Sequence, residues 1–135
     1  MKTLALNYAA TMLVLLALDA VWLTLTAAPL YHAQLGAMLL PTFRAGPAIA
    51  FYLLYGVGLV AFAGAPALAA GSWRFALTRG GLLGLVAYAT YDLTNQATLR
   101  GWSEVVTLAD LAWGTTLSAT AATLGYLITR RFRPR

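Results

Sequence analysis

Three aspartates stand inside hydrophobic stretches of this sequence: Asp19 in LALDAVWL, Asp92 in YATYDLTNQATL and Asp110 in LADLAWGT. A charged side chain within a bilayer costs roughly 2.5 to 3.5 kcal/mol on insertion scales, so such residues usually face a bundle interior, a water-filled cavity or a partner. Clustered carboxyl groups can bind hard cations through their oxygens, and they can also hold or transfer a proton. The three aspartates therefore indicate a polar site inside an otherwise apolar protein.

Aromatic and amide side chains recur near these aspartates at helical spacing. Side chains three or four residues apart share one helix face, and the pattern D-x-x-W occurs twice, around Asp19 and around Asp110. We expect this constellation to line a pocket with carboxyl groups and aromatic walls. The predicted ligand-binding residues are Asp19, Trp22, Tyr88, Tyr91, Asp92, Asn95, Asp110 and Trp113. If the site holds a metal, Asp19, Asp92 and Asp110 are its expected ligands; no motif identifies a cofactor.

The repeated D-x-x-W pattern also predicts specific contacts. A buried indole N–H usually needs an acceptor, and the two helices that carry the pattern are expected to run antiparallel. We therefore predict reciprocal hydrogen bonds, from Trp113 to Asp19 and from Trp22 to Asp110.

The composition indicates a membrane protein. The chain has 135 residues, 61% hydrophobic and 10% charged, with a mean hydropathy of +0.74, whereas soluble domains are about half apolar and about a quarter charged. Its length predicts a single integral-membrane domain over residues 1–135. The absence of cysteine excludes thiol catalysis and disulfides. The net charge of +5 is carried at the ends of hydrophobic runs, which predicts contact with lipid and not with nucleic acid.

Four hydrophobic runs approach the roughly 20 residues that cross a hydrocarbon core about 30 Å thick. They predict an all-α, four-transmembrane-helix bundle, in which the first run is retained although it has some features of a secretory signal. Small residues four apart predict close helix packing through Gly80 and Gly84 on one helix and Gly114, Ser118 and Ala122 on another. The runs are Leu4 to Leu25, Ala48 to Ala70, Ala76 to Leu99 and Val105 to Ile128.

Basic residues are distributed unevenly between the two ends of these runs. Lysine and arginine stay preferentially on the cytoplasmic side. Because most basic residues lie on the same side as the two termini, we predict that both termini are cytoplasmic. The tail RRFRPR is also expected to contact anionic lipid headgroups. Arg44 and Arg100 fall on the outer side. The cytoplasmic set is Lys2, Arg74, Arg79, Arg130, Arg131, Arg133 and Arg135.

This topology predicts the depth of the polar residues. At 1.5 Å per helical residue, all three aspartates lie roughly 8 to 10 Å below the outer surface of the hydrocarbon core. The connection from Thr26 to Gly46 is expected to include a short helix in the outer interface. Second-tier candidates are His32, for a catalytic or metal-binding role, and Arg44, Arg100 and Glu104, for a charged outer rim.

The three motifs around Asp19, Asp92 and Asp110, together with Trp102, resemble a bacterial membrane family catalogued as domain of unknown function 2177. The resemblance covers nearly the whole chain. It implies a four-span protein of the bacterial inner membrane, and it implies no activity, substrate or catalytic residue.

Three functions remain open at this point. The first is an outward-facing pocket that binds or transports a cation, a proton, a small polar ligand or a lipid headgroup. The second is an intramembrane enzyme acting on lipid, in which one aspartate takes a proton or holds a metal and His32 or a tyrosine is its partner. No paired-histidine, serine-elbow or phosphate-loop motif supports a particular reaction. The third is a non-catalytic subunit of a homo-oligomer or a larger membrane complex.

Overall fold

A computed structural model of the chain describes residues 1–133; Pro134 and Arg135, the last residues of the predicted basic tail, lie outside the described residues. Within 1–133 the protein is helical and contains no β-strand, which confirms the all-α prediction. Four helical rods follow one another. Helix α1 (Lys2–Trp22) continues through a π-helical turn (Leu23–Ala27) into α2 (Ala28–Leu35) and a 3₁₀ turn (Gly36–Met38); α3 (Ala45–Leu59) continues through a second π-helical turn (Val60–Gly64) into α4 (Ala65–Ala70); α5 is Trp73–Thr98 and α6 is Glu104–Phe132.

Each π-helical turn ends two residues before a proline. Pro29 and Pro66 each stand at the second residue of the helix that follows. A proline ring clashes with the carbonyl four residues earlier and offers no N–H to it. The helix widens accordingly: the N–H of Ala28 reaches the carbonyl of Leu23, and that of Ala65 reaches Val60, five residues back in each case.

The first rod is longer than its hydrophobic run predicts. Helix continues from α1 without a break to Leu35, and a 3₁₀ turn to Met38 follows at Gly36, whose φ of 21° is not helical. Most of the expected connection from Thr26 to Gly46 is therefore helical. The irregular part is confined to residues 39–44. Pro29 does not end the helix, because it follows a widened turn and stands in the first turn of α2, where the missing N–H of proline is not needed.

The outer surface of the bundle is apolar. Two rods, Lys2–Met38 with 37 residues and Ala45–Ala70 with 26, are long and apolar enough to cross a membrane. Large aliphatic and aromatic side chains point outward, such as Leu54 at 74% exposure and Leu108 at 71%, while Asn7 and Asp92 are fully buried. Contiguous exposed apolar surface is rare on soluble monomers and marks a membrane or protein contact.

Helices α5 and α6 pack together through small residues, which confirms the predicted close approach. A Cβ added at Gly80 would lie 2.7 Å from the Cβ of Ala122 and 2.7 Å from the carbonyl oxygen of Ser118, and one added at Gly84 would overlap the carbonyl of Gly114. The backbones are thus in contact, as small-residue spacing allows in membrane helices. Short turns at Gly71 (φ 65°) and Gly101 (φ 80°) precede these two helices, and both use a backbone conformation that glycine adopts at no steric cost.

A buried hydrogen bond joins the start of α1 to the end of α6. The Asn7 amide donates to the Thr129 hydroxyl at 3.1 Å, and both residues are fully buried. At the opposite end of the bundle, the Ser103 hydroxyl donates to the Gln34 side chain at 2.8 Å. The start of α1 and the end of α6 therefore lie at one end, and the end of α2 lies beside the start of α6 at the other.

The α5–α6 contact yields a stability prediction. Gly80→Ala should lower the stability of the purified protein by about 1 to 3 kcal/mol, because the added methyl overpacks against the backbone of α6. The matched control is Gly58→Ala in α3, where the nearest atom to an added Cβ is 3.9 Å away; it should leave stability unchanged or raise it by up to about 1 kcal/mol through helix propensity. Thermal unfolding in a mild detergent measures both. Equal midpoints for the two variants would show that the backbones do not touch at Gly80.

Candidate functional site

One cavity of about 420 Å³ lies between the helices near the aspartates. It contains seven of the eight residues predicted from sequence, contributed by α1, α5 and α6. Asn95 does not border it and is half-buried, because three residues of helix carry it about 4.5 Å beyond Asp92. The bordering residues are Asp19, Trp22, Leu23, Tyr31, Phe51, Tyr52, Ala87, Tyr88, Tyr91, Asp92, Asp110 and Trp113.

The Asp19 carboxyl group connects three helices. Its Oδ1 accepts a hydrogen bond from the indole Nε1 of Trp113 at 2.8 Å, and its Oδ2 accepts one from the hydroxyl of Tyr52. These contacts join α1 to α6 and to α3. Because both oxygens are engaged, Asp19 acts as a fixed structural acceptor in the wall of the cavity.

Only one of the two predicted indole contacts is present. The Trp113 to Asp19 hydrogen bond is confirmed, whereas the Trp22 to Asp110 hydrogen bond is wrong. Asp110 accepts instead from the Tyr31 hydroxyl at 2.5 Å. The Trp22 ring stacks on that of Trp113, with centroids 4.7 Å apart and planes 7° from parallel. The antiparallel helices bring the two indole rings to the same height, so Trp22 stacks on Trp113 and does not donate to Asp110.

Asp92 is the aspartate without a donor. It is fully buried, and neither carboxyl oxygen accepts a hydrogen bond from any group in residues 1–133. Its neighbour is Asp110, which lies within hydrogen-bonding reach when one of the two carboxyl groups carries a proton. A buried acceptor without a partner costs roughly 1 to 3 kcal/mol, and more when it is charged. Asp92 therefore requires a proton or a bound group with hydrogen-bond donors.

The cavity combines negative charge with aromatic walls. The donors to Asp19 and Asp110 are a tryptophan and two tyrosines, all of them neutral, and none of the twelve bordering residues is basic. Around the carboxyl groups, the Phe51 and Tyr52 rings lie 5.3 Å apart. Such a site can compensate its charge with protons or with a cation that enters it.

Tyr31 and Tyr52 are site residues that the sequence did not single out. Each is a hydroxyl donor to a buried aspartate, and a buried tyrosine hydroxyl usually finds a partner. That general rule was an available signal for Tyr52, which stands among aliphatic residues in the second hydrophobic run. The identity of its partner depends on how α3 is rotated against α1, and helix periodicity within one run does not contain that information.

The second-tier candidates separate into two pairs. His32 and Arg44 border a second cavity of about 430 Å³, and Tyr31 borders both cavities. Arg100 and Glu104 border neither. Glu104 lies in the first turn of α6, where a negative charge is favoured by the helix dipole.

The structure does not support a metal centre made of the three aspartates. Within residues 1–133, no three histidine, cysteine, aspartate or glutamate side chains are grouped so that they could hold a metal ion. Each oxygen of Asp19 already accepts a hydrogen bond, from Trp113 and from Tyr52. Metal ligation by Asp19, Asp92 and Asp110 therefore gains no support from the described residues and stays a prediction.

Comparison with known protein families agrees with the apolar exterior. The family described as "Predicted membrane protein (DUF2177)" matches residues 4–127. Comparison with curated proteins and with solved structures found no match. Since the family match covers nearly all of the chain, from the first helix to the last, the protein belongs to the DUF2177 family of predicted membrane proteins.

Proposed function

We propose that the aspartate cavity binds the protonated amine of a small organic ligand. The observation that carries this proposal is Asp92, a fully buried carboxyl group that borders the cavity and has no donor for either oxygen in the described chain. An ammonium group supplies both N–H donors and a positive charge. Placed beside Asp92 and Asp110, it would satisfy the unpaired acceptors and compensate their charge together.

The aromatic walls support a cation over a neutral ligand. A cation within about 6 Å of an aromatic ring face is attracted by about 0.5 to 2 kcal/mol, most strongly when desolvated and with tryptophan as the ring. Trp22, Tyr88 and Tyr91 border the cavity. Ligand sites typically combine apolar and aromatic walls with few polar groups, and this cavity has that composition.

The three aspartates have different roles in this proposal. Asp19 and Asp110 hold Trp113, Tyr52 and Tyr31 by hydrogen bonds and so keep the cavity open. Asp92 provides the charge that recognises the ligand. A purely structural function would account for Asp19, whose oxygens both accept hydrogen bonds, but for Asp92 it requires a proton shared with Asp110, which an ammonium ligand would make unnecessary.

The proposed membrane arrangement is four spans in the bacterial inner membrane, with both termini in the cytoplasm. Lys2, Arg130 and Arg131 lie at the end of the bundle where α1 begins and α6 finishes, and basic residues stay preferentially on the cytoplasmic side. The aspartate cavity, near the opposite end of α1, then opens toward the outer side of the membrane.

The amine proposal is tested by titrating ethylammonium chloride into the purified protein in an uncharged detergent, with calorimetry as the readout. Wild type should bind. Asp92→Asn should bind roughly tenfold to hundredfold more weakly, since hydrogen bonds to a charged group contribute about 1.5 to 3 kcal/mol. The control Glu104→Gln makes the same carboxyl-to-amide change outside the cavity and should bind like wild type.

A second variant protects this test against a folding defect at Asp92. Trp22→Leu keeps the Trp113 to Asp19 hydrogen bond and removes one aromatic wall of the cavity. It should weaken ethylammonium binding by several-fold. Its thermal unfolding midpoint should fall less than that of a variant that loses a buried hydrogen bond. No heat of binding to wild type, or equal affinities for wild type and Asp92→Asn, would refute the proposal.

Orientation is tested by single cysteines, because the natural chain contains none. Thr42→Cys lies between α2 and α3, and Phe132→Cys lies at the end of α6; both positions are exposed. In spheroplasts, a membrane-impermeant maleimide should label Cys at position 42 and should label position 132 only after permeabilisation. The reverse pattern would invert the proposed topology.

A further inference from the structure

A second cavity lies directly beside the aspartate cavity. It has a volume of about 430 Å³ and is bordered by α2 and by the segment that leads into α3. Tyr31 is shared by the two cavities, and its hydroxyl is held by Asp110 on the side of the first. The Tyr31 side chain is therefore part of the wall of both cavities.

The two cavities carry opposite charge. The aspartate cavity has three carboxyl groups and no basic residue among its twelve bordering residues. The second cavity has Arg44 and His32 and no acidic residue among its eight. An arginine guanidinium presents several N–H donors in a planar fork that matches the oxygens of a phosphate group. The second cavity thus has the chemistry of an anion site.

We propose that the second cavity receives the phosphate of the same ligand whose amine enters the aspartate cavity. The ligand class is then a phosphate ester of an amino alcohol, of which phosphoethanolamine is the simplest member. This inference rests on the proposed amine site and adds the anionic half of the ligand. Arg44 binds the phosphate, and Tyr31 lies between the two charged groups.

Apolar side chains at the second cavity favour a phospholipid as the carrier of this headgroup. Leu40 is 61% exposed and Phe43 is 73% exposed, and both border the cavity beside Arg44. Exposed apolar side chains next to a basic residue are the combination found where proteins meet the headgroup and acyl boundary of a bilayer. A headgroup in the cavity would leave its acyl chains against these residues.

The test compares ethanolamine with phosphoethanolamine by calorimetry in an uncharged detergent. Wild type should bind phosphoethanolamine at least tenfold more tightly than ethanolamine. Arg44→Gln should remove that difference and leave ethanolamine affinity unchanged, whereas Asp92→Asn should weaken both ligands. Arg44 is exposed, so its replacement spares the core. The matched control Arg100→Gln, in neither cavity, should retain the tenfold preference.

The outcomes separate this inference from the amine proposal. Binding of ethanolamine with no preference for the phosphate ester, or a preference that survives in Arg44→Gln, would overturn the anion site and leave the amine site standing. No binding of either compound would overturn both. Tighter binding of inorganic phosphate than of phosphoethanolamine would show an anion site that is unconnected to the amine, and it would also overturn the inference.

The same variants distinguish a lipid from a free headgroup. Short-chain dihexanoyl phosphatidylethanolamine should bind more tightly than phosphoethanolamine if the acyl chains contact Leu40 and Phe43, and dihexanoyl phosphatidylglycerol, which lacks the amine, should bind at least tenfold more weakly than its ethanolamine counterpart. Equal affinity for the two lipids would contradict the inference. Equal affinity for dihexanoyl phosphatidylethanolamine and phosphoethanolamine would support the two-cavity site and identify the soluble compound as its ligand.

Discussion

The Asp19 carboxyl group is the interaction on which the arrangement of the bundle depends. It accepts hydrogen bonds from Trp113 of α6 and Tyr52 of α3, so it fixes the rotation of three helices about their axes at one level. An apolar exterior offers these polar groups no other partners, and leaving any of them unpaired is costly. Rotating α1 by one residue would break both contacts at once. The stacking of Trp22 on Trp113 follows from the same register, because the two indoles are brought level when Trp113 turns toward Asp19.

The second constraint is the backbone contact between α5 and α6. Glycines on both helices remove the side chains that would hold them apart, and the carboxyl groups of Asp92 and Asp110 consequently meet in the interior. Two adjacent carboxyl groups in a low-dielectric environment repel each other when both are ionised. Asp110 is stabilised by Tyr31, whereas Asp92 has no described donor. The packing that buries Asp92 is thus also what makes it receptive to a proton or to a cation.

The end of the bundle that carries the two cavities is shaped by Pro29 and by the continuation of the first helix. Pro29 follows a π-helical turn, and α2 carries Tyr31 over the mouth of the bundle, where its hydroxyl reaches Asp110. The residues after α2 then return toward α3 and bring Arg44 close to His32 around the second cavity. An acidic aromatic cavity and a basic cavity come to share one wall. This juxtaposition of acidic and basic residues, with Tyr31 bordering both cavities, is the feature on which the proposed recognition of a zwitterionic ligand rests.

The sequence by itself determined the helical class, the family, the small-residue contact of α5 with α6 and seven of the aspartates and aromatic residues that border one cavity. These follow from local composition and from periodicity along each helix, which a single run of residues contains. The extension of the first helix, the exclusion of Asn95 from the cavity and the roles of Tyr31 and Tyr52 were decided only by tertiary structure. The same holds for Trp22, whose ring stacks on Trp113 where a hydrogen bond to Asp110 was expected. Rotation and relative height of neighbouring helices are set by contacts between residues distant in sequence, and no spacing within one helix specifies them.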